Sequence, residues 1–420
     1  MRLANNQFFG RRVGLVLITG LYAVLCLYKR EPPYTLVVDE IHYWSTTLLF
    51  SRQWLPDVEL LRSYPELNTP LPFLLGGWII QLFGESIRHL RAYNLLLSFL
   101  IVNLFLWLNP KGLRLLLPAL AGVFLAPYFL YCSLYFYTDL TTVFWVLLGI
   151  VLYQGRQHFG ASICLALAIC SRQYAIAFPI AIIAHELLSV DWKGWRTPDV
   201  WKEKNHLIGY GLAAASLLGW WVFWGSLGPP AEMARQNYGL PRKGIGGFNI
   251  GFSLYTMACF GFYYVIPEAL FFLRNPYGRF VRNKPAYALL LVGVIGALLW
   301  NFPIQQTRTP YFAIPFIDPL DRWLNQAGLT FMLKQIVYGV LAFACAIRFF
   351  TTRPDLGAVL VGVHILMMSK TQIAWDKYVM PALVVLWFLT LYQPGRSPGW
   401  RSPTSRPLGK PAPRQTPAEE

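Results

Sequence analysis

The chain alternates between long apolar runs and short polar breaks, and the apolar runs set the architecture. The first of them, VGLVLITGLYAVLCLY at 13–28, has close to the length that carries an α-helix across a bilayer. Similar runs cover 92–108, 113–130, 140–154, 159–171, 174–188, 206–224, 251–272, 286–303, 329–347, 355–369 and 379–392. No stretch repeats the apolar–polar alternation of a membrane barrel. Helices satisfy their own backbone groups in lipid, so the pattern predicts an all-α, polytopic transmembrane bundle of about twelve spans. One apolar stretch, Leu71 to Phe83, is too short for an ordinary span and predicts a re-entrant or interfacial helix in the first outer loop.

Composition agrees. Hydrophobic residues make up 55% and charged residues 13% of 420, and the mean hydropathy is +0.42; a soluble domain carries about 25% charged residues. The net charge of +16 could point to nucleic acid, but the basic residues sit in short breaks between apolar runs. Arg2, Arg11 and Arg12 precede the first run. Arg156, then Lys193, Arg196, Lys202 and Lys204, then Arg274, Arg279, Arg282 and Lys284 fall on the same side when 71–83 does not cross. This positive-inside pattern places both ends in the cytoplasm and excludes nucleic acid as the partner in favour of membrane lipid.

Residues 1–393 therefore read as one transmembrane domain. Residues 394–420, rich in Pro, Arg, Ser and Gly, read as a disordered basic cytoplasmic tail. The first run has no convincing cleavage site and reads as an anchor. Cys26, Cys132, Cys164, Cys170, Cys259 and Cys345 show no paired spacing and imply no disulfide framework or metal site. No phosphate-binding glycine loop is present, which excludes an ATP-driven pump of that type.

The acids gather on the outer side. Asp39-Glu40 follows the first run in VVDEIHYW, Asp139 stands in LYFYTDL, and Asp318, Asp321 and Asp376 lie in later outer loops. Asp39, flanked by Val37, Val38 and Ile41, reads either as an exposed loop acid or as a general base against an apolar wall. Asp139 reads as a boundary acid with a function or as part of a helix cap. Arg172 interrupts a long apolar stretch at Ser171-Arg172-Gln173. It reads as a phosphate-binding guanidinium on an outer turn or as a side chain snorkelling to the interface. Lys377, in WDKYVMP, carries the same two readings. His42 and Trp44 read as interfacial anchors or substrate contacts. In Tyr64 to Pro70, Asn68 or Thr69 suits the cap of the short outer helix.

Taken in order, these fragments resemble the polyprenol-dependent glycosyltransferases of the GT-C type. They are most similar to the dolichyl-phosphate-glucose α-1,2-glucosyltransferases. The family's acidic pair corresponds to Asp39 and Glu40. Its proline-containing segment corresponds to Asn68-Thr69-Pro70, and its Tyr-Tyr-Thr-Asp segment to Tyr135 through Asp139. Its Arg-Gln-Thr-Asn segment is matched at Arg172 and Gln173, while Tyr174 and Ala175 depart. The matches lie between about residues 37 and 180.

The resemblance implies an inverting transfer of a hexose, glucose above all, from a polyprenyl-phosphate donor to a lipid-linked glycan or other outer-face acceptor. The catalytic set would be Asp39, Glu40 and Asp139, with Asp39 the base. Arg172, Arg308 and Lys377 would hold the donor phosphate, and His42, Asn68, Gln173 and Tyr378 the substrate. No cofactor is implied, and a divalent metal stays open. The membrane would be a bacterial plasma membrane or the endoplasmic reticulum, with the site on the outer or lumenal side. The competing expectation is a multi-pass lipid or solute transporter; transporters place ionisable groups near the midplane and often carry repeats, and no repeat is visible here.

The charge pattern makes a direct prediction. A cysteine introduced at Glu85 is labelled by an impermeant thiol reagent only from outside, and one at Arg282 only from the cytoplasm. Cytoplasmic labelling at 85 makes Leu71 to Phe83 a true span.

Overall fold

The computed structural model describes residues 2–28, 36, 39–109, 113–190, 197–239, 248–272, 276–304, 325–328, 330–351, 354–371 and 374–392. Among these, every regular element is helical. Arg308, Asp318, Asp321, Val37, Val38 and the tail from Pro394 lie outside the described residues.

The chain opens with α1 (Arg2–Tyr28), α2 (Asp39–Phe50), α3 (Val58–Ser63), α4 (Leu71–Phe83) and α5 (Ile87–Leu108). Next come α6 (Leu113–Leu125), α7 (Pro127–Leu134), α8 (Thr138–Gln154), α9 (His158–Ile169) and α10 (Ala177–Leu188), the last entered through a 3₁₀ turn, Gln173–Ile176. The second half holds α11 (Pro198–Glu203), α12 (Leu207–Trp224), α13 (Pro230–Gly239), α14 (Ile250–Phe260), α15 (Ile266–Phe272), α16 (Pro276–Asn283) and α17 (Pro285–Asn301). It closes with α18 (Thr330–Phe350), α19 (Leu356–Met368), a 3₁₀ turn Asp376–Val379, and α20 (Met380–Leu391).

By length and composition, four helical stretches among the described residues suffice to cross a membrane: Ile87–Leu108, Leu207–Trp224, Ile250–Phe272 and Phe331–Phe350. The α6–α7 pair makes a fifth if a 77° bend is allowed within one span. The bend has a plain cause. Pro127 has no N–H, and its ring drives Ala126 out of the helical region, to φ −76°, ψ 104°. Most of the other expected runs are helical close to their expected bounds but, at 12–17 residues, are shorter than a straight crossing needs. Helix α9, with 12 residues, is about 18 Å long, against about 30 Å of bilayer hydrocarbon. Leu71–Phe83 forms a separate helix with the predicted bounds, whereas Asp39–Phe50, expected as loop, is helical.

The core sits where α5, α6, α8 and α20 meet. Trp387 of α20 is fully buried and lies directly on Gly122 of α6, where a Cβ would occupy the indole's place. Helix α9 packs between α8 and α12, and α14 packs on both α18 and α19. At the end of the bundle that carries Asp39, α4 rests on α2. A Cβ at Gly77 would fall 2.8 Å from the carbonyl of Phe50, so only glycine admits this approach. The ends of α8 and α10 remote from Thr138 and Arg172 carry a polar cluster. There Tyr153 Oη donates to Glu186 Oε1 at 2.6 Å, and Lys204 pairs with the same carboxylate.

The packing at Gly122 predicts a strong asymmetry among glycines. Gly122→Leu overpacks the core and lowers the thermal midpoint in detergent by an amount equivalent to at least about 1–3 kcal/mol. Gly219→Ala, with nothing within 4 Å, leaves the midpoint unchanged.

Candidate functional site

Five chain segments meet at one end of the bundle, and each brings a residue that stood out in the sequence. They are the first turn of α2, the irregular stretch before α4, the first turn of α8, the turn after α9, and the 3₁₀ turn before α20. At the centre, the Arg172 guanidinium pairs with the Asp139 carboxylate through Nη2 and Oδ2. The same nitrogen donates to Tyr43 Oη at 2.9 Å, and Nη1 donates to Asn68 Oδ1 at 2.5 Å. Tyr174 Oη closes the other carboxylate oxygen of Asp139 at 2.9 Å. Arg172 is 5% exposed and Asp139 is fully buried. Arg172 is therefore neither snorkelled to an interface nor open to solvent.

Asp139 does not cap α8. Tyr137 occupies the cap position without a side-chain bond, and Asp139 lies in the first turn, where a negative charge suits the helix dipole. Asn68 and Thr69 do not cap α4 either; Pro70 holds that place. Asn68 is spent on Arg172, and Thr69 Oγ1 donates to the Ile169 carbonyl at 2.7 Å. Both residues tie the segment to the end of α9. Gln173 Nε2 bonds the carbonyls of Leu67 and, at 3.2 Å, Leu227, so it is a strap between loops.

The second pair is Lys377 with Asp39, Nζ to Oδ2 at 2.8 Å. Lys377 is 2% exposed, and its ammonium sits 3.6 Å from the centre of the Trp375 ring. The Asp39 side chain retains 27% exposure and is the most open member of the cluster. Of the apolar wall expected beside Asp39, Val37 and Val38 lie outside the described residues and Ile41 is exposed; an ammonium stands at Asp39 Oδ2. Burial pulls the Lys377 ammonium toward its neutral form, but the surrounding oxygens of Tyr43, Asp139 and Asp39 push its pKa back above the ordinary lysine value. For Arg172 burial acts the same way and is offset chiefly by Asp139.

Glu40, next to Asp39, turns elsewhere. Its Oε1 accepts from Arg91 Nε at 2.9 Å and from the Phe136 amide at 2.9 Å, and its Oε2 accepts from Arg91 Nη2 at 2.6 Å. This fork holds α2, α5 and the stretch before α8 together with no solvent exposure of Glu40. The two neighbouring acids therefore have separate partners on separate faces of α2. Tyr378 packs its ring 5.6 Å from that of Tyr174, and its carbonyl accepts from His364 Nε2 at 2.9 Å. His42 is exposed and makes no hydrogen bond or ion pair among the described residues. Arg308 lies outside them. Among the described residues, no group of three or more His, Cys, Asp or Glu side chains is arranged to hold a metal ion.

Sequence reading missed Tyr43, Tyr174, Arg91, Asn94 and His364. Tyr43 could have been found, since it lies one turn after Asp39 and shares its helix face. Asn94 gave no signal inside an apolar run. Its Nδ2 lies 2.9–3.0 Å from the carbonyls of Cys132, Tyr135 and Tyr137 and so fixes the backbone that delivers Asp139. No protein-family model, curated protein or solved structure matches this chain.

The central pair predicts a stability effect. Arg172→Ala leaves Asp139 buried without its cation and costs about 3–5 kcal/mol, read as a lowered thermal midpoint in detergent. The double variant Arg172→Met, Asp139→Asn regains a substantial part of that loss. If the single variant is as stable as the parent, the pair is not what holds these segments.

Proposed function

We propose that this chain is an integral membrane glycosyltransferase of GT-C-like architecture, with about twelve crossings completed by the shorter apolar helices. It moves a hexose from a polyprenyl phosphate to an acceptor hydroxyl on the non-cytoplasmic side. The observation that carries this reading is the pairing of a partly open carboxylate, Asp39, with a buried ammonium, Lys377, beside a rigid buried core of Asp139 and Arg172. A base and an anion-binding cation side by side are what such a transfer needs.

Asp39 takes the proton of the acceptor hydroxyl as its oxygen bonds to C1 of the sugar. The C1–O bond to phosphate breaks on the opposite face, and the bonding electrons leave with the polyprenyl phosphate. Configuration at C1 therefore inverts. Lys377 stabilises the charge that grows on the departing phosphate. Tyr378 and the aromatic groups near Lys377 offer flat apolar faces to the sugar and the first lipid unit. Asp139, Arg172, Asn68 and Gln173 hold the segments in register and do not touch the reacting atoms. Glu40 anchors α2 through Arg91.

The test is turnover of labelled polyprenyl-phosphate glucose with candidate lipid-linked acceptors. Asp39→Asn keeps shape and hydrogen bonding but cannot take the proton, so turnover falls about 10²- to 10⁴-fold with unchanged expression. Glu40→Gln lowers stability through the Arg91 fork and has a smaller effect on turnover per folded molecule. Near-normal turnover of Asp39→Asn removes Asp39 as the base.

A further inference from the structure

In the structure, one carboxylate oxygen of Asp39 is already occupied. Its Oδ2 is held by Lys377 Nζ at 2.8 Å, and an acceptor hydroxyl would have to compete for that oxygen with a charged donor. Lys377 cannot simply relax into water, because it is 2% exposed and its ammonium is seated on the Trp375 ring at 3.6 Å. The two partners differ in freedom. Asp39 has a short side chain fixed in the first turn of α2, whereas lysine carries its charge on a flexible four-carbon stem. Other cations and anions nearby are already committed: Arg172 to Asp139, Arg91 to Glu40, and Asp376 to the Tyr263 hydroxyl at 2.8 Å. The Asp39–Lys377 pair joins a partly exposed acid to a cation on a rotatable stem, so it is the pair an incoming charge can reach and rearrange.

We propose that Lys377 guards Asp39, and that a phosphate ester binding beside Trp375 and Tyr378 draws the ammonium off the carboxylate and so releases the base. The inference rests on the transferase reading for its purpose, but not for its test. A phosphodiester donor brings one negative charge, and the phosphomonoester left after cleavage carries up to two. The ammonium therefore leaves the carboxylate as the donor arrives and is held more firmly as the leaving group forms. One lysine movement serves both ends of the transfer, and the donor binds before Asp39 can activate an acceptor.

The measurement is the rate at which a hydrophobic carbodiimide modifies Asp39 in the full chain in nanodiscs, followed by peptide mass spectrometry, with no acceptor or sugar present. A carboxylate held by an ammonium is shielded from the reagent. Farnesyl phosphate raises the rate at least about tenfold, and uncharged farnesol does not. Inorganic phosphate matching farnesyl phosphate would assign the recognition to the phosphate alone; a response to farnesyl phosphate only would add the lipid. Lys377→Met gives fast modification without ligand and no further response.

Unchanged or slower modification with both phosphates in the native chain overturns the proposal whether or not the variant folds. A folded Lys377→Met chain as slow as the native one also overturns it. A response to phosphate without sugar transfer to any acceptor leaves the guard standing and sinks the transferase reading. Transfer without the response does the reverse.

Discussion

A guanidinium and a carboxylate taken out of water together, Arg172 and Asp139, are what the surrounding structure is built to accommodate. Each ion alone would lose several kcal/mol of solvation in this place, so each needs the other and further hydrogen bonds. Tyr43, Asn68 and Tyr174 supply those bonds. Each of them comes from a different segment, so satisfying one ion pair fixes α2, the stretch before α4, α8 and the turn before α10 against one another. The apolar helices contribute bulk attraction, but that attraction has no direction. The polar core at one end supplies the orientation.

Around that centre the remaining charges differ in exposure and in the number of their partners. Glu40 is locked by a two-nitrogen fork and a backbone amide, and it faces away from Asp39. Asp39 is held by one flexible ammonium and keeps a route outward. Two adjacent acids thus serve different ends because successive residues on a helix point about 100° apart. His364 adds a less visible constraint: its bond to the Tyr378 carbonyl holds the turn that carries Lys377.

Hydropathy made the helical architecture legible, including the bounds of α4, because apolar run length is a property of neighbouring residues. It overstated the number of full-length spans. The runs between the turns at Arg156, Arg172 and Lys377 form helices close to their expected bounds but shorter than a bilayer, and the bend at Pro127 divides another. Asp39, Asp139, Arg172, Asn68 and Lys377 were legible as polar groups at the ends of apolar runs. Their partners were not. Lys377 lies 338 residues from Asp39, and Arg91 lies 51 residues from Glu40, so no local spacing records either pair. For the same reason Asn68 and Thr69 read as helix caps when they are ties to a helix 100 or more residues away. His42, equally polar and equally placed, stays on the exposed face.

The long separation of Asp39 and Lys377 has a consequence for biosynthesis. Asp139 and Arg172 are 33 residues apart and can meet as soon as α8 and α9 are inserted. Lys377 is synthesised 338 residues after Asp39. Until then Asp39 stands without its cation in a half-built bundle. The adjoining helix, α20, also brings Trp387 into the seat left by Gly122. Closure of the core and completion of the charge pair therefore wait for the same late segment, and a chain interrupted before residue 377 is left with an open core and an unneutralised acid.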